Sequence, residues 1–158
     1  MFNKILICLD GSALAEKVIP YAVEEAVRFN SELVLFRAVS EPYLISLALP
    51  GIPGTPINAA GTEKLELEEE KEAREYLKSM AEKLQTEKNL QVSYDSAIGP
   101  AGPAIIEFCE KQGIELIAIA THGRNGPGRV ILGSAADHVI RHSNLPILLI
   151  RPVNEKSK

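Results

Sequence analysis

The sequence predicts an α/β fold, a single-domain open parallel five-stranded sheet with helices on both faces. Three observations carry that prediction. Short apolar runs without alternation, such as Ile5-Leu6-Ile7-Cys8-Leu9 and Leu116-Ile117-Ala118-Ile119-Ala120, read as strands covered on both sides. Between such runs lie segments whose apolar residues recur at helical spacing. The two patterns alternate along the chain, as expected for strands joined by right-handed helical crossovers.

The first strand, residues 5–9, is closed by Asp10-Gly11-Ser12. Leu14, Val18, Ile19, Ala22, Val23, Ala26 and Val27 then repeat at helical spacing, and Pro20, which lacks an N–H, predicts one bent helix there. Leu33-Val34-Leu35-Phe36 begins a second strand that runs to about Val39. Pro42, Pro50, Gly51, Pro53, Gly54, Pro56 and Gly61 mark residues 40–61 as a long connection, functional or mobile. From Thr62 to about Lys88 a charged helix carries an apolar stripe on Ala73, Tyr76, Leu77, Met80, Ala81 and Leu84. Its acidic run, Glu63 to Lys71, is most simply a solvated face, since no histidine or cysteine joins it.

Leu90-Gln91-Val92-Ser93-Tyr94 alternates like a strand at the sheet edge. Gly102-Pro103 opens a third helix with proline at its favoured early position, and Ile105, Ile106 and Phe108 supply its apolar contacts. Residues 116–120 form the fourth strand. A last helix, from Ser134 to about His142, precedes a fifth strand over residues 145–150.

Bulk properties narrow the function. With 158 residues the chain can bury one sufficient core without staples. Seventeen basic against twenty-one acidic residues leave a net charge of -4, which argues against nonspecific nucleic-acid binding and against an anionic membrane surface. Cys8 and Cys109 have no CxxC spacing and read as small packing residues in a reducing cytoplasm. The first apolar run comes too early for a signal peptide, and no apolar run reaches bilayer-spanning length, so a cytoplasmic location is expected.

The most informative stretch is Ala120-Thr121-His122-Gly123-Arg124-Asn125-Gly126-Pro127-Gly128-Arg129, closing at Gly133-Ser134. Glycines between a strand and a helix let the backbone approach phosphate oxygens, and the free N–H groups of the helix beginning near Ser134 face the same place. Ser134 and Asp137 have capping-box spacing. Neither standard phosphate fingerprint is present: no lysine precedes Ser134, and after Gly126 and Gly128 the third GxGxxG position falls on Ile131. In open parallel sheets ligands bind beyond the carboxyl ends of the strands at the switch in strand order. If the first and fourth strands are neighbours, Asp10, the region of Ala38 and Val39, and the glycine loop line one crevice.

These residues resemble the universal stress protein family. The resemblance rests on Ile5 to Ser12, on Ile117 to Arg124, and on Gly133-Ser134 through Pro146-Ile147-Leu148-Leu149-Ile150-Arg151-Pro152. ATP-binding members carry a glycine, two residues, a glycine, nine residues, then glycine with serine or threonine. Gly123, the nine residues Arg124 to Leu132, and Gly133-Ser134 match in register, whereas the first position is Ala120. The resemblance implies a domain over residues 1–152, a C-terminal tail over 153–158, and a Rossmann-like fold of the adenine nucleotide alpha hydrolase type. It also implies that Asp10 accepts from a ribose hydroxyl or helps position metal, and that Ala38 lies against adenine through its backbone. Ala120, Thr121, His122 and Gly123 would line sugar and phosphates, and Gly133, Ser134 and Ala135 would hold phosphates, with Mg²⁺ or Mn²⁺ accompanying ATP.

Other polar residues have simpler readings. Asp10 can cap the first helix and still meet a ligand. His122 has no evident nucleophile to serve, so it is read as orienting its loop. Arg124 and Arg129 are either solvated or neutralise phosphate. His138 and His142 sit at i, i+4 without a third zinc ligand. Three functions compete: a nucleotide-dependent stress-response switch or sensor, a slow ATPase or nucleotidyl transferase, and a nucleotide-free dimeric interaction protein. A homodimer through the last strand is expected, because an apolar edge strand invites a second copy.

Overall fold

A computed structural model of the protein describes residues 1–39, 59–121 and 132–151, with the backbone alone for 59–66. Five parallel strands form one sheet: β1 (Lys4–Cys8), β2 (Glu32–Val39), β3 (Val92–Ile98), β4 (Leu116–Ala120) and β5 (Ile147–Ile150), in the order β3-β2-β1-β4-β5. Strands β1 and β4 are therefore neighbours, with Ile5 beside Leu116 and Ile7 beside Ala118. The chain first winds from β1 toward β3, then crosses back to β4, and that reversal leaves a crevice between the carboxyl ends of β1 and β4.

Successive side chains of a strand point to opposite faces, so each central strand feeds two cores. Ile5, Ile7, Leu33 and Leu35 meet α1 (Ile19–Phe29) and α2 (Ala59–Lys88) through Ala22, Val23, Ala26, Leu77 and Ala81. Leu6, Cys8, Val34 and Phe36 meet α3 (Ala101–Gln112) and α4 (Ser134–His142) through Ile105, Cys109, Ala136 and Val139. Burial on both faces is why these strands read as unbroken apolar runs. The α2 stripe behaves as its spacing predicts: Ala73, Leu77, Ala81 and Leu84 are buried, while the outward pairs Lys71–Glu75 and Lys78–Glu82 stay in solvent.

The structure corrects several local expectations. The predicted single bent helix is a 3₁₀ turn, Ala15–Val18, followed by α1, and Pro20 falls in the first turn of α1, where its missing N–H costs no hydrogen bond. The connection predicted over 40–61 lies outside the described residues from 40 to 58, and its last three positions are already helical. Strand β3 starts two residues later than its apolar signal and continues through Asp95 to Ile98, because β2 offers partners as far as Val39 and an edge strand tolerates polar residues. Asp95 there binds Arg74 of α2 at 2.9 Å. Pro146 precedes β5, where its carbonyl accepts from the Ile117 N–H at 3.0 Å and its missing donor is not needed. No helix among the described residues is long and apolar enough to cross a membrane.

Candidate functional site

Strand β1 ends in a tight turn. Gly11 has φ +83, a region that side chains other than glycine enter with strain. One oxygen of Asp10, Oδ1, accepts from the Ser12 N–H at 2.8 Å, and Ser12 Oγ accepts from the Ala15 N–H at 3.1 Å. The Ser12 hydroxyl, not the Asp10 carboxylate, thus satisfies the first N–H of the 3₁₀ turn, whose cap position is Leu14. Asp10 is exposed and its Oδ2 has no partner among the described residues.

Opposite this turn, α4 begins at Ser134. Gly133 occupies the cap position with φ −59 and ψ 154, and its carbonyl accepts from the Asp137 N–H at 2.9 Å. The expected capping box is not formed: Ser134 is the first helical residue, its hydroxyl makes no cap bond, and Asp137 turns to Arg141 at 2.9 Å. That guanidinium holds the exposed Asp137 carboxyl below the usual range. Without a side-chain cap, the first N–H groups of α4 have no partner among the described residues. Helix α3 opens nearby with Pro100 as its cap and no side-chain hydrogen bond.

These ends meet in a crevice of about 260 Å³. Of the sequence-predicted residues, Asp10, Ala38, Ala120, Gly133, Ser134 and Ala135 line it together. Thr121 does not; it is buried, its N–H donates to the Ile150 carbonyl at 2.9 Å, and its hydroxyl has no partner among the described residues. His122, Gly123, Arg124 and Arg129 lie outside the described residues, as does the tail 153–158.

The apolar floor was not identified from sequence. It is made by Cys8, Phe36, Ile105 and Ile119, with Ala101 from the start of α3. Strand alternation carried the signal, for Cys8 and Phe36 share a face with Ala38. Burial raises the Cys8 thiol far above its ordinary value and pushes Cys109 up to about 12, so both stay protonated at neutral pH. They pack as apolar groups rather than react. Among the described residues, the lining side chains with oxygen atoms are thus Asp10 and Ser134, one at each wall.

Metal-ligating chemistry is sparse. No cluster of three or more His, Cys, Asp or Glu among the described residues could hold an ion. His138 and His142 stack at 4.1 Å between ring centroids, and His142 Nδ1 lies 2.8 Å from the His138 carbonyl oxygen.

Comparison with known proteins supports the fold and identifies the family. The chain is 30% identical over 152 residues to the universal stress protein MJ0531 of Methanocaldococcus jannaschii, covering 96% of this chain and 83% of that one. It is 29% identical over 151 residues to the universal stress protein YxiE of Bacillus subtilis, covering 96% and 100%. Among solved structures, the universal stress protein UspA from Lactobacillus plantarum shares the fold with a TM-score of 0.75 at 22% identity, over 94% of this chain and 97% of that one. A universal stress protein from Archaeoglobus fulgidus in complex with dAMP has a TM-score of 0.61 at 19% identity, covering 95% and 98%. Another universal stress protein, in complex with cAMP, has 0.63 at 15%, covering 95% and 97%. Residues 1–151 match the sequence profile of the universal stress protein family. With the five-stranded parallel sheet in place, that match over nearly the full chain establishes that the protein belongs to the universal stress protein family.

Proposed function

We propose that the crevice binds ATP, with Mg²⁺ or Mn²⁺, and that the protein is a cytoplasmic, nucleotide-dependent switch or sensor in the stress response. The observation that carries the reading is the convergence of two uncapped helix starts, α3 and α4, on one apolar crevice at the β1/β4 reversal. Unpaired N–H groups and the positive dipole end at a helix start favour phosphate. The apolar floor suits a flat base. Two relatives of the same fold are complexes with dAMP and cAMP, ligands of this chemical class.

Electrostatics orders the ligand within the crevice. A carboxylate beside phosphates is repelled unless it accepts a hydroxyl or shares a cation. Asp10 therefore suits the sugar, and Gly133, Ser134 and Ala135, at the positive end of α4, suit the phosphates. About 260 Å³ is just under the ~300 Å³ lower bound for ligand pockets, so base and sugar fill it and the phosphates lie at the rim. Ala38 lies against the base, and Ala120 follows the sugar edge, whereas the buried Thr121 stays behind the wall. His122, Gly123 and Arg124 join the site on the strength of the motif spacing alone. Among the described residues Asp10 is the lone carboxylate on the crevice wall, so a divalent cation would be held mainly by phosphate oxygens.

The same reading makes turnover slow, since the described walls carry no base beside Asp10 and hydrolysis needs a positioned water. A homodimer through β5 completes the proposal. At the sheet edge β5 pairs only with β4 among the described residues, and Leu149 is exposed. Incubating the purified protein with ATP and Mg²⁺, then extracting and identifying the bound nucleotide, tests the reading. Intact ATP is expected; recovery of no adenine nucleotide would defeat it.

A further inference from the structure

We propose that Arg37 is a positioning residue that holds the Asp10-Gly11-Ser12 turn from the face of the sheet opposite the crevice. The inference deepens the nucleotide reading and rests on it for its functional consequence. Along β2, Phe36 and Ala38 face the crevice side, whereas Leu33 and Leu35 face α1 and α2. Arg37 alternates onto the second face, half-buried behind the turn that carries Asp10.

Its contacts define a flat clamp. A Cβ built on Gly11 would stand 3.1 Å from Arg37 Nη1, 3.3 Å from Cζ and 3.5 Å from Nη2. Three guanidinium atoms at nearly equal distance place the plane of the group flat over Gly11. On another side, Arg37 Cζ lies 5.8 Å from the centroid of the Tyr76 ring. The Tyr76 hydroxyl donates to Glu16 Oε1 at 2.9 Å, which ties the 3₁₀ turn to the same cluster. Helix α2 thus backs Arg37, and Arg37 backs the turn.

Two features separate this from an ordinary surface arginine. Among the described residues Arg37 takes part in no ion pair, and its head group is engaged there by the Gly11 turn and the Tyr76 ring. Gly11 is favoured by its φ of +83, and a Cβ there would press on the guanidinium, which would have to give by a few tenths of an ångström. An arginine can lie flat against such a surface and a lysine cannot. Because the Ser12 N–H binds Asp10 Oδ1, movement of Gly11 moves the carboxylate that faces the crevice.

The test has two independent readouts on Arg37→Met and Arg37→Lys. In nucleotide-free protein, solvent exchange of the Ser12 amide, followed by NMR, should quicken about tenfold in both variants, the size of one hydrogen bond to a charged acceptor, with Ile5 to Ile7 unchanged. By calorimetry, adenosine and ATP with Mg²⁺ should each lose about tenfold in affinity, because both use the sugar end. Unchanged exchange and unchanged affinities would overturn the proposal. So would a loss confined to ATP, which would make Arg37 a phosphate-attracting charge, or full recovery by lysine. Should Arg37→Met fail to fold, Gly11→Ala displaces the guanidinium from the other side and must produce the same equal loss; wild-type affinities there would refute the clamp. If the wild-type protein binds neither ligand, the nucleotide reading falls, while the exchange rates still decide whether Arg37 holds the turn.

Discussion

Replacing Gly102 by alanine tests how tightly the two helix starts are joined. Gly102 is buried in the first turn of α3, and a Cβ there would stand 2.5 Å from His138 Cβ, 2.6 Å from Cγ and 2.8 Å from Cδ2. Two effects oppose each other. Alanine is favoured over glycine in a helix by about 1 kcal/mol, whereas overpacking costs about 1–3 kcal/mol. The nearest atom is a Cβ fixed to the α4 backbone rather than a flexible tip, so the helices themselves must shift and overpacking should win. With the 2.5 Å contact to a backbone-fixed Cβ placing the cost at the upper end of that range, the net expectation is a loss of about 2 kcal/mol, or roughly 4–8 °C in Tm for a chain of this size. Urea unfolding of the single variant and of the double variant with His138→Gly measures it. The double variant removes all three close contacts and should show favourable coupling of about 1 kcal/mol, while His138→Ala leaves the Cβ and rescues only partly. A Gly102→Ala protein as stable as wild type, or one not coupled to His138→Gly, would refute the reasoning. Since Ala101 and Ser134 both line the crevice, the same variant should bind nucleotide more weakly.

Phosphate release from ATP should stay well below about 1 per second, measured by a coupled phosphate assay; a faster rate abolished by Asp10→Ala would expose catalytic machinery missed in this account. Light scattering at micromolar concentration should give twice the 17.2 kDa chain mass, and Leu149→Asp should convert the dimer to monomer or aggregate. Tyr76 offers a pH test. Burial, with help from the Glu16 hydrogen bond, raises its phenol above the ordinary 10.0. The neutral form is the one favoured by folding, so its contribution is complete below that value and is lost as pH rises toward the folded-state pKa. In ultraviolet titration Tyr76→Phe should remove a late-ionising phenol, and a profile unchanged by the substitution would contradict the burial argument.

Much of the fold was legible because its physics is local. Strands β1 and β4 are covered on both faces and therefore announce themselves as apolar runs, and the α2 stripe follows from one buried helical face. The crevice was legible only in part. Asp10, Ala120 and Gly133 stand out as punctuation at the ends of elements, but Cys8, Phe36 and Ile105 look like any other core residues until strand order shows which end of the sheet is open. Local rules misled where tertiary partners decided the outcome. Proline at position 20 opens α1 rather than bending it, because a 3₁₀ turn precedes it. Asp137, spaced as a capping partner, prefers the guanidinium one turn ahead. The role of Arg37 was invisible in sequence, since it depends on Gly11 and Tyr76 arriving from distant parts of the chain.

The central claim is that the crevice between β1 and β4 is a nucleotide site. Titration calorimetry with ATP and Mg²⁺, run on the wild-type protein and on Gly133→Val, addresses it most directly. Saturable heat is expected for the wild type, accompanied by a Tm that climbs with ligand concentration because ATP binds the folded state alone. Gly133→Val should keep the folded spectrum and lose the heat, because the branched side chain stands where the α4 N–H groups would meet phosphate. Absence of heat and of any Tm change at millimolar ATP in the wild type would contradict the account.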